Sequence, residues 1–166
     1  MNFLTVILQT KHRKKDFHCG KAMLDNYLHF QANQDIKRKL TACFVYPEED
    51  TNLIKGYYTL ANNMIPQSKI PDSIRRKLPK SYKSIPTTLI GRLAVDTKFQ
   101  GQGVGKLLLI DSLKRSYLAS KTVGSFAVVV DPLDNEAEQF YLKYGFIKLP
   151  DSGKMFIPMK TIELLF

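Results

Sequence analysis

Three glycines at alternate positions, Gly101, Gly103 and Gly105, stand inside "FQGQGVGKLLL" (residues 99–109), and an apolar helical run follows them at once. Glycines this dense before a helix let backbone N–H groups close on a phosphate. Spacing excludes two familiar phosphate loops. A Walker A loop reads Gly, four residues, then Gly-Lys-Ser/Thr. Here Gly105-Lys106 is followed by Leu107, and Gln100 stands where the first glycine belongs. A dinucleotide fingerprint reads G-x-G-x-x-G, with an acidic residue about 20 positions later for the ribose. This turn reads G-x-G-x-G, and residues 116–126 hold no Asp or Glu. What remains is Gln100-x-x-Gly103-x-Gly105, between "LIGRLAVD" and a helix. Cys19 and Cys43 show no metal-ligand spacing with each other or with His12, His18 and His29. No metal is expected, and both thiols are expected to be ordinary reduced side chains.

The elements around this turn can be read from hydrophobic period. Leu4 to Leu8 predicts a first strand. Leu24, Tyr27, Leu28, Ala32, Ile36 and Leu40 recur at helical spacing. "TACFVYP" and "LIKGYYTLA" predict a hairpin across "EEDTN". Residues 62–86, with Pro66, Pro71, Pro79 and Pro86, read as irregular, apart from a short helix capped by Asp72. "TTLIGRLAV" is a strand, a helix runs from Val104 to about Leu118, and "SFAVVVD" is a buried strand. "NEAEQFYLKYG" is a helix closed by Gly145, and "MFIPMKTIELLF" is expected to supply the final strands. The strand–helix–strand in the middle suits a parallel pair with a crossover. The expectation is a mixed α/β protein.

At 166 residues the chain fits one domain with a genuine core. Its net charge of +10 is uneven: residues 1–83 hold 15 basic and 7 acidic residues, residues 84–166 hold 10 and 8. A basic excess attracts polyanions, whether nucleic acid, CoA or acidic lipid, and it also suits a plain solvated surface. The basic cluster follows the first apolar run, the reverse of a signal peptide, and no stretch is long enough to span a membrane. A cytoplasmic protein without membrane contact is expected.

The Gln100-x-x-Gly103-x-Gly105 turn resembles the acyl-CoA signature (Arg/Gln-x-x-Gly-x-Gly/Ala) of the GNAT N-acetyltransferase superfamily. In "DPLDNEAEQFYLKYGF", the residues Asn135, Ala137, Phe140, Tyr141, Gly145 and Phe146 are similar to the helix and strand that flank CoA in that superfamily. With both signatures in order, the resemblance covers almost the whole chain. It implies a single-domain GNAT fold over residues 1–166, with a mixed central sheet of about six to seven strands and flanking helices. It implies acetyl-CoA as co-substrate and no metal. CoA is expected at Gln100, Gly101, Gln102, Gly103, Val104, Gly105 and Lys106, with the N–H groups of residues 102–106 on the pyrophosphate, where the helix N-terminus favours an anion. The pantetheine arm is expected along the backbone of Leu93, Ala94 and Val95, and Asn135 is expected to meet CoA or a water. Tyr141 is the implied proton donor to the CoA sulfur, because a phenol of pKa about 10 stays protonated at neutral pH. Tyr144, three residues on, is the rival.

No carboxylate or histidine stands out as a general base. A lysine amine of pKa about 10.4 needs one; an α-amine of pKa about 7.7–8.0 is already roughly a tenth neutral at pH 7. A narrower resemblance fits this. "FHCGKAMLDNYL" (Phe17, Cys19, Gly20, Leu24, Asp25, Tyr27, Leu28), "IKGYYTLA" and "IPDSIRRKLPKSYKSIPTTLIGRLAVD" look like the GNAT toxins of bacterial toxin–antitoxin pairs. That likeness implies acetylation of aminoacyl-tRNA on its α-amine, a ribbon-helix-helix antitoxin and a homodimer. Arg75, Arg76, Lys77 and Arg92 are then expected to meet tRNA. Acetylation of a protein or small-molecule amine remains the alternative, and a CoA-binding module without catalysis is a third class.

Overall fold

The computed structural model describes residues 2–166. Its strands are β1 (Val6–Ile7), β2 (Ala42–Pro47), β3 (Ile54–Pro66), β4 (Ser84–Val95), β5 (Ala127–Val130), β6 (Ile147–Lys148) and β7 (Met155–Pro158). They form one sheet in the order β1-β2-β3-β4-β5-β7-β6. β4 and β5 run parallel; β1/β2, β2/β3, β5/β7 and β6/β7 run antiparallel. The helices are α1 (Ala22–Asn26), α2 (Ala32–Lys37), α3 (Asp72–Arg75), α4 (Val104–Ser120), α5 (Asn135–Lys143) and α6 (Met159–Ile162). α4 is the expected crossover between the parallel strands. The mixed α/β sheet with flanking helices is the architecture anticipated from the sequence.

The chain divides into two compact units, Met1–Ala61 with Gly91–Arg115, and Asn62–Ile90 with Ser116–Phe166. The first is built on Phe17, Tyr27, Leu28, Ala32, Cys43, Val45 and Tyr57. Phe17 meets the Tyr57 ring edge-on at 5.3 Å, and Tyr27 stacks on it at 6.5 Å. A buried polar knot ties the amino-terminal strand to α4. The Asp111 carboxylate accepts hydrogen bonds from Leu4 N–H (2.7 Å), the Thr5 hydroxyl (2.5 Å) and the Tyr58 hydroxyl (2.7 Å). β3 passes close by at Gly56, where a Cβ would come within 2.6 Å of Leu108 Cδ1 and 2.8 Å of the Ala94 carbonyl. Only glycine fits there. The second unit gathers Ile65, Ile70, Ile85, Ala127, Val129, Leu149 and Phe156. All four residues of β5 are buried, as an apolar strand covered on both faces requires.

Several boundaries depart from expectation. The first strand is short, Val6 and Ile7 with exposed side chains, and the Leu8 N–H extends its pairing to the Cys43 carbonyl (3.0 Å). The helix expected through Leu40 ends at Lys37, and Lys39 turns left-handed at φ 59°, leaving Leu40 exposed. Between α1 and α2 the residues Tyr27–Gln31 are π-helical, so one extra residue enters the turn. Residues 62–66 and 84–86 are strand rather than irregular. Asp72 is the first residue of α3, not its cap, since Pro71 precedes it without a side-chain bond. After β7 the chain is helical instead of strand: Met159 N–H bonds to the Phe126 carbonyl, and Ile162 is fully buried. No helix among the described residues is long and apolar enough to cross a membrane.

Candidate active site

In the first unit the chemistry is offered by backbone. Gly101 and Gly103 hold φ of +75° and +80°, the left-handed region in which other residues are strained. A Cβ built on either meets nothing within 4 Å, so both face open space. The Leu107 N–H bonds to the Gly103 carbonyl (3.2 Å), which begins the α4 ladder. The N–H groups of Val104, Gly105 and Lys106 precede that first bond and have no carbonyl one turn back within the helix. The first turn carries no acidic residue, and Lys106 is exposed on it. Residues 101–106 therefore fit an anionic phosphate.

The Gln100 side chain is engaged by backbone carbonyls of the protein itself. Its Nε2 donates to the Val95 carbonyl (2.9 Å) and the Cys19 carbonyl (2.9 Å), so the amide braces the turn. Gln102 Nε2 reaches the Lys98 carbonyl at 3.3 Å. The brace is wider than Gln100. Buried Asp96 accepts from Lys98 N–H (2.9 Å) and His18 N–H (3.0 Å), and the His18 carbonyl accepts from Thr97 N–H (2.8 Å). Cys19 N–H in turn donates to Asp25 (2.8 Å). The "FHCG" stretch is thus the mount of the glycine turn, a role its residue types did not disclose. Burial, with Asp25 beside it, pushes the Cys19 thiol up to about 11; burial pushes Cys43 up to about 12. Both thiols therefore hold their protons at neutral pH.

β4 pairs with β5 only through Thr88, Leu89 and Ile90, and residues 91–95 run past that ladder. Ala94 turns its side chain into the core, and Leu93 and Val95 are half-buried. Arg92 lies on the same stretch with its guanidinium 3.4 Å above the Tyr27 ring, and the Tyr27 hydroxyl donates to Asp35 (3.1 Å).

In the second unit the expected site residues present side chains rather than backbone. Asp134 caps α5 by accepting from Ala137 N–H (2.9 Å), which leaves Asn135 exposed as the first helical residue. Gly145, at φ +90°, closes the helix as expected. Tyr141 is 7% exposed, with the rings of Phe140 and Phe146 at 5.2 and 5.1 Å. Burial among these rings raises its phenol pKa well above the ordinary 10.0. Its hydroxyl makes no hydrogen bond among the described residues. The rival Tyr144 is the C-cap, half-buried and outside the helix.

The cations expected to meet RNA differ among themselves. Arg75 is paired with Asp72 and reaches the Ser68 carbonyl (3.5 Å). Arg76 and Lys77 are exposed, and so are Lys69, Lys80 and Lys83, which sequence reasoning did not single out. Arg92 belongs to the other unit.

The Acetyltransferase (GNAT) domain family matches residues 68–148. The tRNA-acetylating toxin of Mycobacterium tuberculosis (strain ATCC 25618 / H37Rv) is 34% identical over 90% of this chain and 87% of its own length. The chain belongs to the GNAT acetyltransferases, among the tRNA-acetylating toxins. Two solved structures agree with this GNAT chain in fold. AtaT complexed with acetyl-methionyl-tRNAfMet is 30% identical with a TM-score of 0.90, covering 99% of each chain. A tyrosine-to-phenylalanine mutant of AtaT, bound to the C-terminus of the antitoxin AtaR and acetyl-CoA, is 28% identical with a TM-score of 0.82, covering 98% and 96%. No group of three or more His, Cys, Asp or Glu side chains among the described residues is placed to hold a metal in this GNAT enzyme.

Proposed function

We propose that this acetyltransferase moves the acetyl group of acetyl-CoA onto the α-amine of aminoacyl-tRNA and so stops translation. In the same reading it works in the cytoplasm as a homodimer of single 1–166 domains, silenced by a ribbon-helix-helix antitoxin. The observation that carries the choice of acceptor is the exposed basic stretch of residues 69–83, which suits a polyphosphate and has no use against a small amine.

Acetyl-CoA supplies an activated acyl group as its thioester. The N–H groups of residues 103–106 hold the pyrophosphate, aided by the helix dipole and Lys106. Backbone groups of Leu93 and Val95 run beside the pantetheine arm, and an N–H from this stretch donates to the thioester oxygen as charge builds there. Asn135 meets CoA or a water. The acceptor α-amine needs no strong base, because about a tenth of it is neutral at pH 7. Its nitrogen bonds to the acyl carbon, the carbon–sulfur bond breaks, Tyr141 gives its proton to the departing sulfur, and the proton lost by the acylated nitrogen passes through water and restores the Tyr141 phenol. Burial keeps Tyr141 protonated at neutral pH, and the negative charge that develops on the sulfur draws the proton off.

Labelled acetyl-CoA is to be incubated with charged tRNA, deacylated tRNA and free amino acids at two salt concentrations. Label is expected only on charged tRNA, released with the amino acid on alkaline deacylation, and less of it at high salt. Label on free amino acids or on protein amines, indifferent to salt, overturns the reading.

A further inference from the structure

Residues 67–83 join β3 to β4 within one unit, and the segment is closed at its base by Gln67, whose N–H donates to the Lys83 carbonyl (2.8 Å). The same residue's side chain donates from Nε2 to the Pro79 carbonyl (2.8 Å) and the Tyr82 carbonyl (2.9 Å). Tyr82 N–H also turns back to the Pro79 carbonyl (3.3 Å). Beneath, buried Ile70 and partly buried Ile74 and Leu78 anchor the segment to the apolar cluster of this unit. The backbone at Tyr82 is thus fixed from both sides.

The side chain that this clamp presents is unusual. Tyr82 is 56% exposed, and its ring stacks on no aromatic or cationic side chain among the described residues. Around it in the segment, Lys69, Arg76, Lys77, Lys80 and Lys83 are exposed, and the one acid, Asp72, is already paired with Arg75. A rigid, uncovered aromatic face among unpaired cations is the composition of a single-stranded nucleic-acid platform. The cations track phosphates, and the ring takes a base.

We infer that Tyr82 is a stacking platform for an unpaired nucleobase of the RNA substrate, held at a set height by Gln67 and flanked by lysines that meet the adjoining phosphates. The inference rests on the proposed tRNA acceptor and adds how that RNA is gripped. Base–aromatic stacking is sequence-tolerant. The platform therefore selects for unpaired RNA over duplex, not for one base.

The chain has no tryptophan, so Tyr82→Trp installs a single emitter at the proposed contact. Its emission is to be followed on titration with deacylated tRNA and with a blunt RNA duplex of equal phosphate number. Saturable quenching by tRNA, and little by the duplex, is expected. Tyr82→Ala should raise the tRNA Kd about 5- to 150-fold, the range of one base stack, and Tyr82→Phe should restore it. Exposure of the ring lets these variants fold; circular dichroism confirms it. Equal quenching by duplex and tRNA, or an unchanged Kd for Tyr82→Ala, overturns the inference while wild-type acetylation of charged tRNA still stands. The converse separates the two claims as well. Quenching by deacylated tRNA without label transfer to charged tRNA keeps the platform and removes the reaction.

Discussion

Two tyrosines of the same compact unit are presented in opposite ways. Among the described residues, Tyr141, on α5, is enclosed by Phe140 and Phe146 with its hydroxyl unpaired, whereas Tyr82, on the 67–83 segment, stands out among lysines with its ring face bare. Apolar enclosure stabilises the neutral phenol and so stores a proton. Exposure among cations stores nothing but offers area and charge to a polyanion. Chemistry built on the first should respond to the loss of one oxygen atom and hardly to salt. Recognition built on the second should respond to salt and hardly to pH.

The largest expected effect tests the first half of that contrast. Tyr141→Phe keeps the ring packing and removes only the hydroxyl. Turnover should fall about 100- to 10,000-fold, the usual worth of a general acid, with acetyl-CoA affinity retained. The pH profile of the wild type sharpens the point. Rate should rise through the α-amine pKa of about 7.7–8.0 and then stay level past pH 10, where a free phenol would lose its proton. The sign follows from burial, which raises the Tyr141 pKa and so shifts any descending limb upward. Near-normal turnover of the variant, or a descending limb at about 10, would pass the proton to Tyr144 or to water.

A smaller effect belongs to the glycine turn, where neither a hydroxyl nor a charge is at stake. Gly103 faces open space, so alanine there meets no clash; its cost is the left-handed φ of +80°. Gly103→Ala should destabilise the fold by about 1–2 kcal/mol. It should also weaken acetyl-CoA about tenfold, the scale of a helix N-terminus acting on an anion. Calorimetry on the folded variant reads this, and kcat at saturating acetyl-CoA should change little. A large loss of kcat with unchanged affinity would mean that the turn acts in the chemical step.

These contrasts mark what was legible in the sequence. The turn could be read because a left-handed backbone demands glycine, and the spacing of those glycines survives translation into structure. Tyr141 stands out through the resemblance of its segment to the GNAT pattern, and the burial of its side chain was not legible there. The Gln100 brace could not, because its two acceptors are carbonyls, and every residue has one. Nor could Tyr82, since its fixed backbone depends on Gln67, fifteen positions away. The helical end of the chain was missed for a similar reason: "MFIPMKTIELLF" has the apolar content of strand, and the inward packing of Met159 and Ile162 decides it. Local periodicity reports which face is buried; it does not report which polar side chain will hold a neighbour's backbone.

The smallest effect separates cations that the sequence grouped together. Arg75, Arg76 and Lys77 are consecutive, yet Arg75 is already neutralised by Asp72 and tied to Ser68. A paired guanidinium releases few counterions when RNA arrives, whereas a free one adds close to one unit to the slope of log affinity against log salt. Arg76→Ala and Lys77→Ala should each lower that slope by about one, a loss of roughly fourfold in the advantage of 50 mM over 200 mM salt. Arg75→Ala should lower it much less. Asp72→Ala is the opposing test, because it frees Arg75 and should steepen the slope and tighten tRNA. Binding of a deacylated tRNA across a salt series measures all four variants. If Arg75→Ala costs as much as Arg76→Ala, the Asp72 pair opens in the complex, and α3 is remodelled by the RNA rather than waiting for it.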